Sequence, residues 1–153
     1  METPKREAMT VALELLRAGG TAALSVIDVV DGAPFTTLVN VAADDGLAPV
    51  LLVSDLSHHT KCLKADPRGS IMMHAPIAAD GDPMLTFRVT VTGVFEQIPA
   101  DLVQAAFLAR HPYAELYAGF GDFNFWRLNA KEAHIIAGFG RAYGVRFKDL
   151  AAM

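Results

Sequence analysis

The sequence predicts a mainly β protein, a small antiparallel barrel of six or seven strands with few helices. Short apolar and β-branched runs recur at close spacing, and Asp-Gly turn signals at 31–32 and 45–46 separate them. The clearest run, Leu85 to Gln97, alternates strictly between apolar and polar residues. Such alternation indicates an antiparallel sheet with one buried face, because the strands of a parallel sheet are usually buried on both faces.

The composition is that of a single folded domain spanning residues 1–153. Of the 153 residues, 52% are hydrophobic and 20% are charged, which is too apolar for a disordered chain. The net charge of −4 argues against a nucleic-acid binder, which normally carries a basic face. The longest apolar run, Leu47 to Val53, is far shorter than the roughly 18 residues of a membrane span. Glu14 and Arg17 interrupt any signal peptide, so we expect a cytoplasmic protein.

The first half of the chain is predicted to be a helix followed by strands. The helical stripe consists of Ala8, Val11, Ala12, Leu15 and Leu16, with Thr3 as its cap and Pro4 in its first position. Gly19-Gly20 ends the helix. Strands are expected at Thr21–Val30, Pro34–Ala43, Pro49–Val53 and Ser70–Ala75, with a polar-to-helical stretch at Ser54–Ala65 that Asp66-Pro67 ends.

The second half continues the pattern of strands with few helices. It is predicted to contain the strand Leu85–Gln97, a helix over Leu102–Arg110 and two last strands at Asn124–Asn129 and Ala133–Phe139. The glycine-rich segment 138–144 is not a dinucleotide fingerprint, because Tyr143 stands where the third glycine belongs. This layout favours a small barrel over a Rossmann fold.

A first candidate site lies where a buried strand meets a short helix. Free backbone N–H groups at a helix start attract anions. Ser54, Ser57 and Thr60 add hydroxyl donors there, and Lys61 adds a positive charge, a set that suits the phosphate of a small cofactor. The ordinary alternative is a helix cap by Ser57 with a solvated lysine, which is the commoner fate of such residues.

The adjacent histidines His58 and His59 do not predict a metal site. Neighbouring residues of a helix point to different faces, and no third ligand stands at a suitable spacing. Cys62 is the single cysteine, which excludes a disulfide framework and a cysteine-cluster metal site. We therefore expect no metal.

Two other features leave their interpretation open. Arg88 occupies the threonine face of the best strand, where it is either an exposed arginine or a guanidinium that binds an anionic ligand. Six aromatic residues lie within 113–127, including the only tryptophan, Trp126. They predict a stacked ring ligand, a dimer interface or simple core filling.

Taken in order, several segments resemble the FMN-binding split-barrel family of pyridoxamine 5′-phosphate oxidase, and more closely its haem-utilisation (HugZ-like) branch. The segments that carry the resemblance are 34–39 (PFTTLV), 54–56 (SDL), 59–63 (HTKCL), Asp66-Pro67, 88–93 (RVTVTG), 109–112 (ARHP), 117–123 (YAGFGDF) and 138–142 (GFGRA). The resemblance covers nearly the whole chain. Cys62 departs from it, because the branch usually has asparagine after the lysine.

The resemblance implies a homodimer with two FMN molecules bound where the subunits meet. The strand segment Thr36, Thr37, Leu38 and Val39 would lie along the flavin ring, and Ser54, His59, Thr60 and Lys61 would hold the phosphate. Arg88 would reach the ring or the phosphate, with Trp126 and Arg141 as further contacts. For this arrangement Asp55 must point away from the phosphate or be neutralised.

The expected function is that of an FMN-dependent oxidoreductase acting on an unidentified small substrate. FMN would carry the hydride or electrons, and the protein would supply binding and orientation. The sequence nominates no catalytic residue. Branch members that degrade haem carry a further C-terminal domain, and this sequence ends at Met153, soon after the barrel. A haem-binding protein and a non-catalytic flavin-binding module are the alternatives.

Overall fold

A computed structural model describes residues 3–153 and contains an antiparallel barrel with five α-helices in that range. The strands are β1 (Gly20–Ile27), β2 (Pro34–Ala43), β3 (Pro49–Ser54), β4 (Arg68–His74), β5 (Arg88–Ile98), β6 (Phe123–Ile136) and β7 (Ala142–Arg146). The helices are α1 (Thr3–Ala18), α2 (His58–Ala65), α3 (Gln104–Arg110), α4 (Glu115–Ala118) and α5 (Phe147–Ala151). None of these helices has the length and apolar content needed to cross a membrane.

The sheet closes because β3 pairs with β6. The same edge of β6 also pairs with β7. The strand order is β3-β2-β1-β4-β5-β6-β7, and β3 also pairs with β6, which joins six strands into a ring. β3 bonds the first part of β6, from Phe123 to Arg127, and β7 bonds the last part, from Glu132 to Ile136. The predicted fold, a mainly β split barrel of six to seven antiparallel strands, is confirmed.

The core fills the barrel and continues under α1. Leu24, Leu51, Ile71, Val91 and Leu128 have no measurable exposure in the barrel interior. On α1 the buried residues are Ala8, Met9, Ala12, Leu13 and Leu16, whereas the predicted Val11 and Leu15 are only half-buried. Gly19 ends α1 at φ +64, and a Cβ there would lie 2.7 Å from the carbonyl oxygen of Val41. The helix end predicted at Gly19-Gly20 is therefore confirmed.

The prediction of two last strands at Asn124–Asn129 and Ala133–Phe139 is wrong, because one strand of 14 residues, β6, spans most of both. The pairing of β5 with β6 shifts between Thr92 and Gly93, which leaves Lys131 as an extra residue in β6. A bulge of this kind bends a strand without ending it. Gly93 makes it possible, since a Cβ there would lie 2.2 Å from the carbonyl oxygen of Asn129.

Other boundaries also differ from the prediction, and four of the differences have a local explanation or add an element. β1 ends at Ile27 rather than Val30, because the Asp28 carboxylate accepts the Val30 N–H at 2.8 Å and turns the chain. β5 begins at Arg88, after a 3-10 turn at Pro83–Leu85 that Asp82 caps. α3 begins at Gln104, after a second 3-10 turn at Ala100–Leu102. The segment after Ile136 is a tight turn followed by β7 and α5, which were not predicted.

Candidate functional site

A cleft lies where β2 and β3 meet the start of α2. It has a volume of about 210 Å³. Its lining consists of Leu38, Val39, Asn40, Leu52, Val53, Ser54, Ser57, His59 and Phe123. Four of the residues predicted to bind a cofactor, Leu38, Val39, Ser54 and His59, are therefore brought together.

The start of α2 leaves polar groups available beside this cleft. Ser57 holds the N-cap position in an extended conformation, and its hydroxyl makes no capping hydrogen bond. The first backbone N–H groups of a helix have no partner within the helix. Lys61 is exposed one turn further along. The amides, the Ser57 hydroxyl and the Lys61 ammonium can together attract an anionic group.

Two side chains of α2 hold enclosed polar atoms that lack hydrogen-bond partners in the described part of the chain, His59 Nε2 and Thr60 Oγ1. Burial, together with the nearby His58, lowers the pKa of His59, so its imidazole is neutral near pH 7. An enclosed polar atom without a partner is costly. His59 also lines the cleft, so a rotation of its imidazole would bring this enclosed atom to a ligand bound there. Thr60 is fully buried and faces no open space.

The Ser54 hydroxyl already makes two hydrogen bonds within the protein. It donates to Asp122 Oδ2 at 2.7 Å and accepts the Leu56 N–H at 3.1 Å. Because a hydroxyl has one proton, Ser54 cannot also donate to a phosphate while this bond is made. Of the four residues that the family resemblance assigns to the phosphate, His59 and Lys61 remain available.

Asp55 is neutralised where it stands. Its carboxylate lies 3.1 Å from Lys64 Nζ and accepts two hydrogen bonds from Asn124 Nδ2, each at 3.2 Å. The condition that the sequence analysis placed on Asp55 is therefore met. These contacts also join the β3–α2 turn to the start of β6.

The other residues predicted to bind a cofactor lie outside the cleft lining. The Thr36 hydroxyl is 3.1 Å from the Ser25 hydroxyl, and Thr37 is half-buried on β2. Trp126 is 5% exposed within the barrel core. Arg141 is exposed in the turn between β6 and β7.

Arg88 lies on β5, which contributes no residue to the cleft lining. Its guanidinium donates to the carbonyl oxygens of Met84 and Thr86, both at 3.1 Å. In the described sheet, β5 pairs with β4 and β6 and with neither β2 nor β3, the strands that supply most of the cleft lining. A contact between Arg88 and a ligand in this cleft stays a prediction.

The aromatic loop lies beside the cleft. Phe123 lines it, and the Phe123 ring centroid is 4.8 Å from that of Tyr117 and 6.1 Å from that of Phe120. Leu38, which also lines the cleft, and Leu56, in the turn before α2, are strongly exposed, at 72% and 76%. This corner therefore presents apolar surface next to its cationic and hydroxyl groups.

A group of three side chains that could bind a metal ion, one of them His58, was not predicted. Asp28, His58 and Cys62 each offer an atom within 4.8 Å of the other two. The sequence analysis found no third ligand because Asp28 is 30 residues away from His58 in the chain. The spacing of His58 and Cys62, one helical turn apart, was the available signal.

Comparisons with known proteins agree with the fold. A sequence model of the CREG β-barrel family matches residues 3–150. The non-canonical haem oxygenase HOZ of the chloroplast from Arabidopsis thaliana is 36% identical over 117 residues, which is 74% of this chain and 35% of that protein. A haem-binding protein from Mycobacterium smegmatis is 31% identical with a TM-score of 0.84, covering 99% of this chain and 61% of the other.

A more distant structure shares the fold alone. A protein related to general stress protein 26, of the pyridoxine phosphate oxidase family, from Clostridium acetobutylicum is 12% identical. Its TM-score is 0.71, with 94% of this chain and 97% of the other covered.

The chain spans only about a third of the Arabidopsis protein and under two thirds of the mycobacterial one. The family match itself covers almost the whole sequence. The chain belongs to the CREG β-barrel family, and its barrel has the split-barrel fold of the pyridoxamine 5′-phosphate oxidase type.

Proposed function

We propose that this protein binds haem in the cleft beside α2, as a haem-utilisation member of its family. The single observation that carries the proposal is His59, a neutral imidazole in the cleft lining whose Nε2 atom lacks a partner among the described residues. A neutral imidazole is a common iron ligand, and haem iron is often held by histidine. The names of the Arabidopsis and mycobacterial relatives support the same ligand.

The surroundings of His59 would contact one edge of a planar ligand with an apolar body and carboxylate edges, because a cleft of about 210 Å³ holds only part of a haem. Leu38, Leu52 and Phe123 provide apolar walls. Lys61 and the first amides of α2 provide positive charge for a carboxylate. Bound haem would supply redox chemistry at its iron, while these residues hold the ligand and exclude water from its face.

The test is a haemin titration of the purified chain, followed by the Soret band. We expect His59→Ala to weaken haemin binding at least tenfold and to move the Soret maximum, since an iron ligand affects both. His134→Ala is the matched control, because His134 is an exposed histidine on β6 away from the cleft. Equal affinity and an equal spectrum for the His59→Ala variant and the unaltered protein would contradict the proposal.

FMN is the second candidate ligand, and the start of α2 favours it. The free amides, the Ser57 hydroxyl and Lys61 form a set of donors for a phosphate. We expect Lys61→Ala to weaken FMN binding by about 1–3 kcal/mol, the scale of a charged hydrogen bond. Lys131→Ala, at the bulge of β6, is the control. FMN affinity that is unchanged by Lys61→Ala would remove this site as the FMN site.

Catalysis is tested separately from binding. An oxidoreductase loaded with FMN or haem should be reduced by NADH or NADPH, or by a coupled reductase, and reoxidised by oxygen. A ligand that binds and is reduced by no donor would favour the non-catalytic binding module.

We also propose that the protein is a homodimer whose interface includes the corner where β3 turns into α2. Leu56, Leu116 and Phe120 are 76%, 80% and 57% exposed, and large exposed apolar patches mark interaction surfaces. Sedimentation equilibrium should give twice the mass of 16.4 kDa. The variant Leu56→Asp should shift the equilibrium toward the monomer. A monomer that retains full ligand occupancy would contradict a shared site.

A further inference from the structure

We propose that Asp28, His58 and Cys62 form a binding site for a thiophilic divalent cation such as Zn²⁺. The three side chains come from two elements. Asp28 directly follows β1, and His58 and Cys62 lie one turn apart on the same face of α2. Their carboxylate oxygen, imidazole nitrogen and thiol sulfur lie within 4.8 Å of one another. This ligand set is distinct from the haem or FMN contacts proposed above.

The distances suit a small tetrahedral ion. Zinc holds nitrogen and oxygen at about 2.0–2.2 Å and sulfur at about 2.3 Å, which places tetrahedral ligand atoms about 3.3–3.7 Å apart. His58 Nε2 is 3.1 Å from Asp28 Oδ2, close to that separation. The His58 side chain is 41% exposed, so it can rotate to close the remaining gap to the sulfur.

The ligands are held in place by neighbouring groups. The Val30 N–H donates to Asp28 Oδ1 at 2.8 Å, which leaves Oδ2 for an ion. The Val29 N–H donates to Cys62 Sγ at 3.4 Å, which orients the sulfur. The Phe35 ring packs against the edge of His58, with centroids 5.0 Å apart. Such outer contacts orient metal ligands and raise their affinity.

The ligand types select the ion. A thiolate and an imidazole bind Zn²⁺ or Co²⁺ well, whereas Mg²⁺ and Ca²⁺ prefer oxygen ligands. On binding, the S–H bond of Cys62 breaks, the sulfur electron pair goes to the ion and the proton goes to solvent. Three protein ligands leave the fourth position for water. The bound ion would fix the β1–β2 loop to the first turn of α2.

The test uses Co²⁺ as a spectroscopic probe on the full chain after dialysis against a chelator. We expect one Co²⁺ per chain, with a sulfur-to-cobalt charge-transfer band in the near ultraviolet and visible bands of tetrahedral intensity. Zn²⁺ should displace the Co²⁺ and abolish these bands. No sulfur-to-cobalt band in the unaltered protein would overturn the proposal.

Variants separate this site from adventitious binding. His58→Gln lies on the surface and should weaken Co²⁺ binding about tenfold or more, since even outer-shell changes cost that much. Cys62→Ser should abolish the charge-transfer band, and circular dichroism checks that this buried substitution leaves the chain folded. His134→Gln is the control and should bind as the unaltered protein does. A band that persists unchanged in the His58→Gln variant would also overturn the site.

Discussion

The β5–β6 ladder and the corner where β3 turns into α2 differ in backbone pairing and in the open space beside them. The ladder pairs residues continuously from Arg88 with Ile136 to Ile98 with Phe125, apart from one bulge. Among the described residues, both regions enclose polar side-chain atoms without partners: Trp126 Nε1 and Arg127 Nε on β6, and His59 Nε2 and Thr60 Oγ1 at the corner, where Leu56 is exposed. Of these four residues only His59 lines the cleft, so the corner differs from the ladder in having room for a ligand beside an unsatisfied group.

A side chain placed at the bulge of the β5–β6 ladder should give the largest loss in the free energy of unfolding. A Cβ at Gly93 would lie 2.2 Å from the carbonyl oxygen of Asn129, so Gly93→Val must displace the backbone of β6. We expect a loss of more than about 3 kcal/mol in the free energy of unfolding, measured by urea denaturation. Gly144→Ala on β7 is the control, because nothing lies within 4 Å of its Cβ position. Equal stability of the Gly93→Val variant would show that the bulge is not needed.

Two leucines, five residues apart in the sequence, allow the barrel interior to be compared with the turn before α2. Leu51 is fully buried in the barrel, whereas Leu56 in the turn before α2 is 76% exposed. We expect Leu51→Ala to cost about 2–5 kcal/mol, because it leaves a cavity. Leu56→Ala should change monomer stability by less than about 0.5 kcal/mol. Thermal or urea unfolding at low protein concentration measures both, and similar losses for the two would contradict the comparison.

The unpartnered hydroxyl of Thr60 predicts a gain in stability. Val has nearly the same shape as Thr, so Thr60→Val removes a buried polar atom without opening a cavity. We expect the protein to become more stable by about 1 kcal/mol, the lower range for an unsatisfied buried group. Thr92→Val, at an exposed position on β5, is the control. A loss of stability in the Thr60→Val variant would mean that the hydroxyl has a partner, such as an ordered water.

The smallest effect concerns pH and the outer face of the ladder. A hydrogen bond from Arg127, at 2.8 Å, is the main cause that lowers the pKa of the Glu96 carboxyl below its usual value of 4.5. A lowered carboxyl pKa contributes stability above the unfolded value, and this contribution is lost as the pH falls through the lowered value. In Glu96→Gln, the midpoint of urea unfolding should therefore depend less steeply on pH below about 4.5. Glu132→Gln, an exposed carboxylate on β6, should keep the original slope.

Local patterns predicted the elements that depend on local signals. β2 has the predicted bounds, Pro34 to Ala43, because its alternation and its two flanking turns are all encoded nearby. β6 was divided in two because its continuity depends on Gly93 in another strand. β7 was missed because Gly138 and Gly140 lie in the turn before it, and Gly144 resembles a loop residue although it pairs with His134 of β6.

The site was predicted in part for the same reason. The start of α2 and the strand beside it were identified from residues close together in the sequence, and the cleft includes Leu38 and His59. Sequence could not reveal that Asp122 already accepts from Ser54, since these residues are 68 positions apart. The sequence also could not reveal that Asp28 lies close to Cys62. Those contacts depend on how the closed barrel packs its helices.

The divided edge of β6 has a consequence for self-association. If β7 were absent, the backbone amides and carbonyls of Glu132 to Ile136 would be open to pairing with another chain. β7 shields them, and its own outer edge is only five residues long, with Gly144 and Arg146 among them. A short edge carrying glycine and a charge is a poor template for strand addition. β7 therefore protects the protein against edge-to-edge aggregation, and none of its residues lines the cleft beside α2.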